Sequence, residues 1–369
     1  MRLQSITYEN FRNHRFLRFE PSTGINLLYG PNGSGKTSML EGVHFCALTK
    51  GFVGATDHDA LFFSQDFFLL NSIFCDDHDI PLHIKLSYTK EKEKQILFNN
   101  SEIKPFSRHI GTVPCITFYP EEIVIVNGAP SERRRFIDNA LSQSDRRYLE
   151  ELIAYRRVLQ QRNALLLSLY ERNAVQRDML FLWTEQLSKL AASLIYARVH
   201  FVSLFFEKFQ ELYAQLSIHE DPSILYRCSV GNISADISLE ELYSRFMHKF
   251  QQTEQHEIDR TQTMIGPHRD ELVFMLNERE IKKYASQGQL RTFLICLKLT
   301  QHRLYSELLE EKPICLLDDL FSELDAKRTD ALFHVLETCG QTIITSAEKK
   351  EYRNITAHSL QALQTNNTK

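Results

Sequence analysis

Four positions near the start of the chain have the types and spacing to grip a phosphate. Gly30, Gly35, Lys36 and Thr37 lie in "GPNGSGKTS" at the offsets G-x-x-x-x-G-K-[ST], with Gly33 as a further glycine. Glycines let backbone N–H groups turn inward on phosphate oxygens, and the start of a following helix adds a favourable dipole. The segment Gly30, Pro31, Asn32, Gly33, Ser34, Gly35, Lys36, Thr37 and Ser38 is therefore expected to bind ATP. Lys36 is expected to reach the outer phosphates and serve catalysis, and the Thr37 hydroxyl to ligate Mg²⁺. Far downstream, the apolar run "PICLL" ends in Asp318 and Asp319. Asp318 is placed to hold Mg²⁺ directly or through water, and Asp319 to orient or deprotonate an attacking water. A second polar turn, Ser286-Gln287-Gly288-Gln289, opens another helix 250 positions after Lys36. One nucleotide rarely needs two such cradles from one chain, so this turn is expected to act in trans, on a nucleotide held by a partner copy.

These residues need rigid elements around them. "GINLLYG" reads as a buried strand before the loop and "TSMLEGVHFCAL" as a helix after it, the context the loop requires. From 1 to about 115 short strands dominate, for example "HRFLRFE" and "PLHIKLSYTK". From about 120 to 260 the pattern is helical. Leu149, Leu152, Leu159 and Leu166 mark one amphipathic helix; Leu180, Trp183, Leu187, Leu190, Leu194, Ala197, Phe201 and Leu204 mark another. The polar break "ERNAVQRD" between them predicts an antiparallel hairpin over about 145–213. Its helices of about 25–35 residues would be roughly 40–50 Å long. Such stripes are packing faces. Strand character returns after about 265.

Composition narrows the classes. With 369 residues and 43% hydrophobic content, the chain can bury a large core in two lobes. It holds no run of 18 apolar residues, and "MRLQSITYENF" lacks the apolar stretch of a signal peptide, so a cytoplasmic protein with no membrane partner is expected. The seven cysteines, Cys46, Cys75, Cys115, Cys228, Cys296, Cys315 and Cys339, include no C-x-x-C pair and read as reduced core thiols rather than zinc ligands. The net charge of −4 means that any nucleic-acid contact comes from a local patch or from a surface completed by oligomerisation.

The order of P-loop, S-x-G-Q turn and aspartate-tipped strand resembles that of ABC-type ATPases. The implied fold is α/β: an ATPase head, lobe I, from residues 1–118 and 265–369, with an inserted, mainly helical lobe II over 119–264. Ser322-Glu323-Leu324-Asp325 aligns with the S-A-L-D turn that lies at the dimer seam of such proteins. Three departures stand out. The usual switch histidine is replaced near Ser346, "TFYPEEI" occupies the approximate place of the glutamine loop, and Asp319 is one methylene shorter than the usual glutamate. Hydrolysis is therefore expected to be slow, a weak ATPase working as a switch.

Over the whole chain the sequence resembles the RecF family, whose members are related to the heads of SMC-type proteins. The matching stretches are "NFRNHRFLRFEPSTGINLLYGPNGSGKTSMLEGV", "FYPEEIVIVNGAPSERRRFIDNAL", "YRRVLQQRNALL", "GPHRDEL", "SQGQLRT" and "LLDDLFSELD". The family's Arg/Ser-rich turn after the P-loop helix is replaced here by "LTKGFVGATDHDAL". The resemblance implies an ATP-dependent homodimer that binds gapped DNA at junctions of single and double strands, works with RecR and helps load recombinase. The implied roles are recombinational gap repair, replication restart and the response to DNA damage, with DNA-stimulated hydrolysis. The alternative is an ABC-type subunit of a transport or chromosome-organising assembly. A transporter subunit would normally carry the glutamine loop and switch histidine; a full SMC-type protein would insert hundreds of heptad residues. A P-loop kinase would stay monomeric with ATP.

DNA contact has candidates with two readings each. Arg133, Arg134, Arg146 and Arg147 fall in the helical region, either as phosphate contacts or as an ion-paired helix face, with Glu132 and Asp138 near the first pair. Arg12, in "ENFRN", is either near the nucleotide phosphates, as in related heads, or a surface residue of a strand turn. His268 and Arg269 in "GPHRD" either touch nucleotide or DNA or hold the turn itself.

Overall fold

The computed structural model describes all residues except 53–55, 172–176, 217–219, 322–325, 350–353 and 367–369. The chain opens with β1 (Arg2–Phe11), β2 (His14–Phe19), β3 (Ile25–Tyr29) and α1 (Lys36–Leu48). Strands β4 (Phe67–Cys75), β5 (Pro81–Thr89), β6 (Lys94–Phe98), β7 (Ser101–Glu102) and β8 (Cys115–Phe118) follow. A helical stretch then runs through α2 (Val124–Asn127), α3 (Pro130–Ser144), α4 (Arg146–Tyr170) and α5 (Arg177–Leu216). Next come β9 (Pro222–Arg227), α6 (Leu239–Arg260), β10 (Glu271–Leu276), β11 (Arg279–Glu280) and α7 (Ile281–Tyr284). The chain closes with α8 (Gln287–Leu308), β12 (Ile314–Leu317), α9 (Ala326–Thr338), β13 (Thr342–Ser346), β14 (Ile355–Ser359) and α10 (Leu360–Asn366).

Two compact units result: Met1–Ile123 with Glu211–His219 and Ser286–Lys369, and Val124–Gln210 with Glu220–Ala285. The first holds an antiparallel sheet, order β2-β1-β4-β5-β6-β7, and a sheet of order β14-β3-β13-β12-β8 whose strand pairs are all parallel. α1 packs on strands of both sheets, on β1, β4 and β5 and on β8, β12 and β13. That position explains why Met39 through Leu48 are buried without a break, where a surface helix would show an apolar stripe. Close approach needs Gly42, because a Cβ there would stand 2.3 Å from the Tyr8 ring. The Tyr8 hydroxyl fixes the contact by donating to the Met39 carbonyl at 2.7 Å.

The second unit contains the hairpin helix α4, of 25 residues, the 40-residue α5 up to Gln210, and the three-stranded sheet β11-β10-β9. Six register pairs, from Glu271↔Arg227 to Leu276↔Pro222, zip β10 to β9. They hold the stretch after 265, which the sequence reading placed in the ATPase lobe, in the second unit up to Ala285. By length and composition Asp178–Leu216 could cross a membrane. Yet its Arg198 is buried and donates to Asp138 at 2.6 Å, to Tyr148 at 3.0 Å and to the Pro267 carbonyl at 2.8 Å. Arg162, on α4, is likewise buried against Glu257 at 2.6 Å and against Thr263 and Thr184. Buried guanidinium groups with every branch engaged mark the interior of a folded protein.

Candidate nucleotide-binding site

β3 ends at Tyr29 and hands the chain to the P-loop. Its neighbours in the sheet are β13 and β14, and β13 separates it from β12. That order fixes the site: the loop after β3 and the carboxylates after β12 flank the end of β13. Gly33 and Gly35 carry φ of 75° and 104°, values that L side chains rarely adopt. A Cβ on Gly35 would also lie 2.4 Å from the Asn13 amide. Gly35 caps α1 without any side-chain hydrogen bond, which leaves the first N–H groups of that helix to an anion. Lys36 donates to the carbonyls of Gly30 at 2.8 Å and Pro31 at 2.9 Å, so its ammonium is held at the mouth of the loop.

Across the cleft, the Thr37 hydroxyl donates to Asp318 Oδ2 at 2.8 Å. Thr345, on β13, donates to Asp318 Oδ1 at 2.5 Å and accepts from the Asp319 N–H at 3.0 Å. Asp319 itself sits at φ 46°. The cleft, of about 460 Å³, is lined by Asn13, Asn32, Gly33, Gly35, Lys36, Thr37 and Ser38, with Pro120, Glu121, Asp318, Asp319, Thr345 and Ala347 opposite. Burial is the largest influence on Asp318 and raises its pKa; Asp319 and Glu121 push the same way, against the bonds from Thr345 and Thr37. Burial lowers the Lys36 pKa, opposed by Asp318 and Asp319. Carboxylate and hydroxyl oxygens gathered around a desolvated aspartate are the donor set a hard divalent cation such as Mg²⁺ takes, and Thr37 with Asp318 could hold one.

Several lining residues were not singled out from the sequence. Thr345 was passed over for Ser346, whose carbonyl accepts from the Gly30 N–H at 3.3 Å. Asn13 packs on Gly35, and His14 Nε2 lies 3.1 Å from the Gly35 carbonyl. Glu121 enters from "TFYPEEI", where its neighbour Glu122 is buried and bonded to Lys298. Arg12, by contrast, is not among the described residues lining the cleft. It forks onto Glu41 at 2.7 and 2.6 Å and reaches the Asp59 carbonyl at 3.0 Å. Glu41 is 2% exposed and would otherwise be a buried, unpaired carboxylate.

The second cradle is built differently. Ser286 Oγ accepts from the Gln289 N–H at 3.3 Å, and Gln289 Oε1 accepts from the Ser286 N–H at 2.8 Å, a complete capping box at the start of α8. Ser286 and Gln287 are exposed, and none of Ser286–Gln289 is among the described residues lining the cleft. The turn Ser322–Asp325, aligned with the dimer seam, lies outside the described residues.

Comparison with known proteins identifies the family. The AAA domain family matches residues 5–285. A relative from Chlorobium phaeovibrioides, called DNA replication and repair protein RecF, is 54% identical over 98% of this chain and 97% of its own length. The chain belongs to the RecF family. A second RecF, from Chlorobium luteolum, is 53% identical over 98% of each chain. Among solved structures, one described as the recombination mediator protein RecF-ATP in the RecFOR pathway matches with a TM-score of 0.89 and 28% identity, over 95% of this chain and 93% of that one. The fold is the ABC-type ATPase head.

In this RecF-family chain the arginine candidates are engaged within their own unit. Arg133 is 1% exposed and donates to the Gly128 carbonyl at 2.8 Å and to Glu271 at 2.7 Å, so it is not presented to a phosphate. Arg134 donates to the Asp270 carbonyl at 2.9 Å. Arg146 pairs with Glu150 and Arg147 with Glu151, each at 2.9 Å and one helical turn apart. His268 takes the structural reading: Nδ1 is 2.5 Å from the Tyr155 hydroxyl, Nε2 is 3.1 Å from the Thr263 carbonyl, and burial lowers its pKa to about 4. Arg269 also bonds the Thr263 carbonyl, at 3.3 and 3.4 Å.

Proposed function

We propose that this chain is an ATP-driven switch of DNA replication and repair that works as a homodimer on gapped DNA. One protomer holds the triphosphate on the Gly30–Ser38 loop, with Lys36 on the outer phosphates. Mg²⁺ belongs on Thr37 and Asp318, where it would neutralise charge on the β- and γ-oxygens. Asp319 orients the attacking water. The partner subunit's Ser286 and Gly288 close over the γ-phosphate, so binding closes the dimer and hydrolysis opens it.

The observation that carries this reading is the separation of the two cradles. The first converges with Lys36, Thr37 and Asp318 on one cleft, while the second stands exposed and outside it. A nucleotide from another copy is the ligand that would use it. Slow turnover follows from the same geometry. Asp319 is a short base at φ 46°, and near Ser346, where ABC-type ATPases usually carry a switch histidine, Thr345 and Ala347 line the cleft instead. A basal turnover above roughly ten per second would contradict the switch. The names of the relatives support DNA replication and repair as the setting; RecR as partner and recombinase loading as output are what the family resemblance implies.

Sedimentation velocity with a fluorescent gapped duplex, in ATP, ADP or no nucleotide, tests the reading. A dimer that carries the DNA only in ATP is expected. A protein that stays monomeric with ATP bound would overturn the trans arrangement. A dimer that leaves the DNA free would remove the DNA role and keep the ATPase.

A further inference from the structure

Three side chains that the nucleotide chemistry leaves unused converge inside the first unit. His302 lies on α8, Cys315 on β12, and Cys339 directly after α9. Their ligand atoms, one ring nitrogen and two sulfurs, all fall within 4.8 Å of one another, and all three residues are buried. The topology makes this cluster. α9 returns the chain to β13 through Gly340, at φ 82°, and β13 is the parallel neighbour of β12. Cys339 therefore arrives beside the first residues of β12, where the Cys315 N–H donates to the Gln341 carbonyl at 3.1 Å. His302 Nε2 stands 2.7 Å from the Cys339 carbonyl. A further polar atom lies at the same level: the hydroxyl of Thr342, which is the register partner of Cys315 and 0% exposed.

We propose that His302, Cys315 and Cys339 form a structural zinc site. Thiolate sulfur and imidazole nitrogen are the ligands Zn²⁺ selects, and a soft set of this kind does not compete for Mg²⁺. Charge decides among thiophilic ions. Two thiolates and a neutral imidazole cancel the charge of Zn²⁺, giving a neutral centre in an interior where an unpaired charge is costly. A monovalent ion on the same two thiolates would leave one negative charge. The Thr342 hydroxyl is the oxygen at hand for a fourth position. Metal binding releases the protons the two sulfurs hold and changes no oxidation state. The ion would tie α8, which begins beside Ser286, to β12, which ends beside Asp318. It would brace the two elements that carry the trans cradle and the carboxylate pair. The lack of C-x-x-C spacing addresses only ligand pairs local in sequence, and this cluster is assembled by the sheet.

The test uses the full-length chain expressed with added zinc. Elemental analysis is expected to find one zinc per chain, and X-ray absorption at the zinc edge to find two sulfurs with nitrogen or oxygen. Cys339→Ser and His302→Gln are expected to lower occupancy at least about tenfold, with Cys228→Ser, in the second unit, unchanged. Refolding with Co²⁺ is expected to give a thiolate charge-transfer band. Zinc below about one-tenth per chain with no cobalt band, or zinc coordinated by nitrogen and oxygen alone, overturns the site. So does a Cys315–Cys339 disulfide in the unreduced digest of the purified protein. The absorption spectrum of the unsubstituted chain decides even where a variant fails to fold.

Discussion

Two helices of the first unit begin at polar turns with glycine, and they settle their first N–H groups in opposite ways. α1 starts at Gly35 with no capping side chain and no acidic residue in its first turn. α8 starts at Ser286 with a reciprocal box between Ser286 and Gln289. The first leaves donors for a ligand; the second satisfies its own. A phosphate can enter the first directly, whereas at the second it must displace the Ser286–Gln289 bond, which at 3.3 Å is long. The difference implies an order of events. In the proposed dimer, nucleotide would fill the P-loop of one protomer first, and only the charge presented at its outer phosphate would outcompete the neutral cap of the other.

The comparison breaks most sharply if both cradles of one chain act on the same nucleotide. Lys36→Ala removes the ammonium at the loop mouth and should weaken ATP binding about 100-fold or more, on the order of 3 kcal/mol. Ser286→Arg should keep ATP affinity within about twofold while abolishing the ATP-dependent dimer. Titration calorimetry beside sedimentation separates the two. Equal losses of ATP affinity would mean that α8 serves its own chain.

Asp319→Asn keeps the size of the side chain and removes the base. Turnover should fall about 100-fold, with the closed dimer persisting in ATP. Dimers that dissociate at the unmodified rate would show that Asp319 is not the group that opens them. Thr345→Val should lower turnover about tenfold, because it leaves an Asp318 oxygen and the Asp319 N–H unpaired at once. Unchanged turnover would reduce Thr345 to a packing residue.

Thr345 also shows where the sequence stops being informative. That Gly35, Lys36, Thr37 and Asp318 meet in one cleft was legible because the motif pattern ties residue type to local spacing. So was α1, and so were the hairpin helices, whose apolar stripes extend over many turns. Thr345 enters the cleft only because β13 lies between β3 and β12, and nothing local in "QTIITS" announces that order. Arg12 kept two readings for the converse reason. Its charge and place in the turn suit a phosphate, but Glu41, 29 positions away, takes it. The stretch after 265 reads as strand, and its unit is decided by its partner β9. Charges that pair through tertiary structure are invisible to spacing.

Ser286→Ala sharpens the comparison from the other side. It removes the cap without adding bulk and should destabilise the chain by about 1 kcal/mol, read as a shift in the urea midpoint at constant slope. If the cap is what a phosphate displaces, ATP-dependent dimerisation should persist in this variant. A loss as complete as that of Ser286→Arg would make the hydroxyl itself a required donor.

The smallest effect is expected from Arg146→Ala and Arg147→Ala. Each pair, with Glu150 and with Glu151, is an exposed i,i+4 bridge of the kind whose loss hardly moves stability. The two arginines splay by about 100° around α4, so they present no common fork. The urea midpoint should stay within error of the unsubstituted chain, and affinity for gapped DNA should change by less than about twofold at fixed salt. The salt dependence of DNA binding is the sharper readout. A residue that contacts phosphate releases a counterion, and its removal lowers the slope of log affinity against log salt by about one. An unchanged slope in the double variant would leave both arginines with their glutamates. A slope lower by about two would mean that DNA draws them away from Glu150 and Glu151, and that the helical unit carries its DNA contacts on side chains that are ion-paired before DNA arrives.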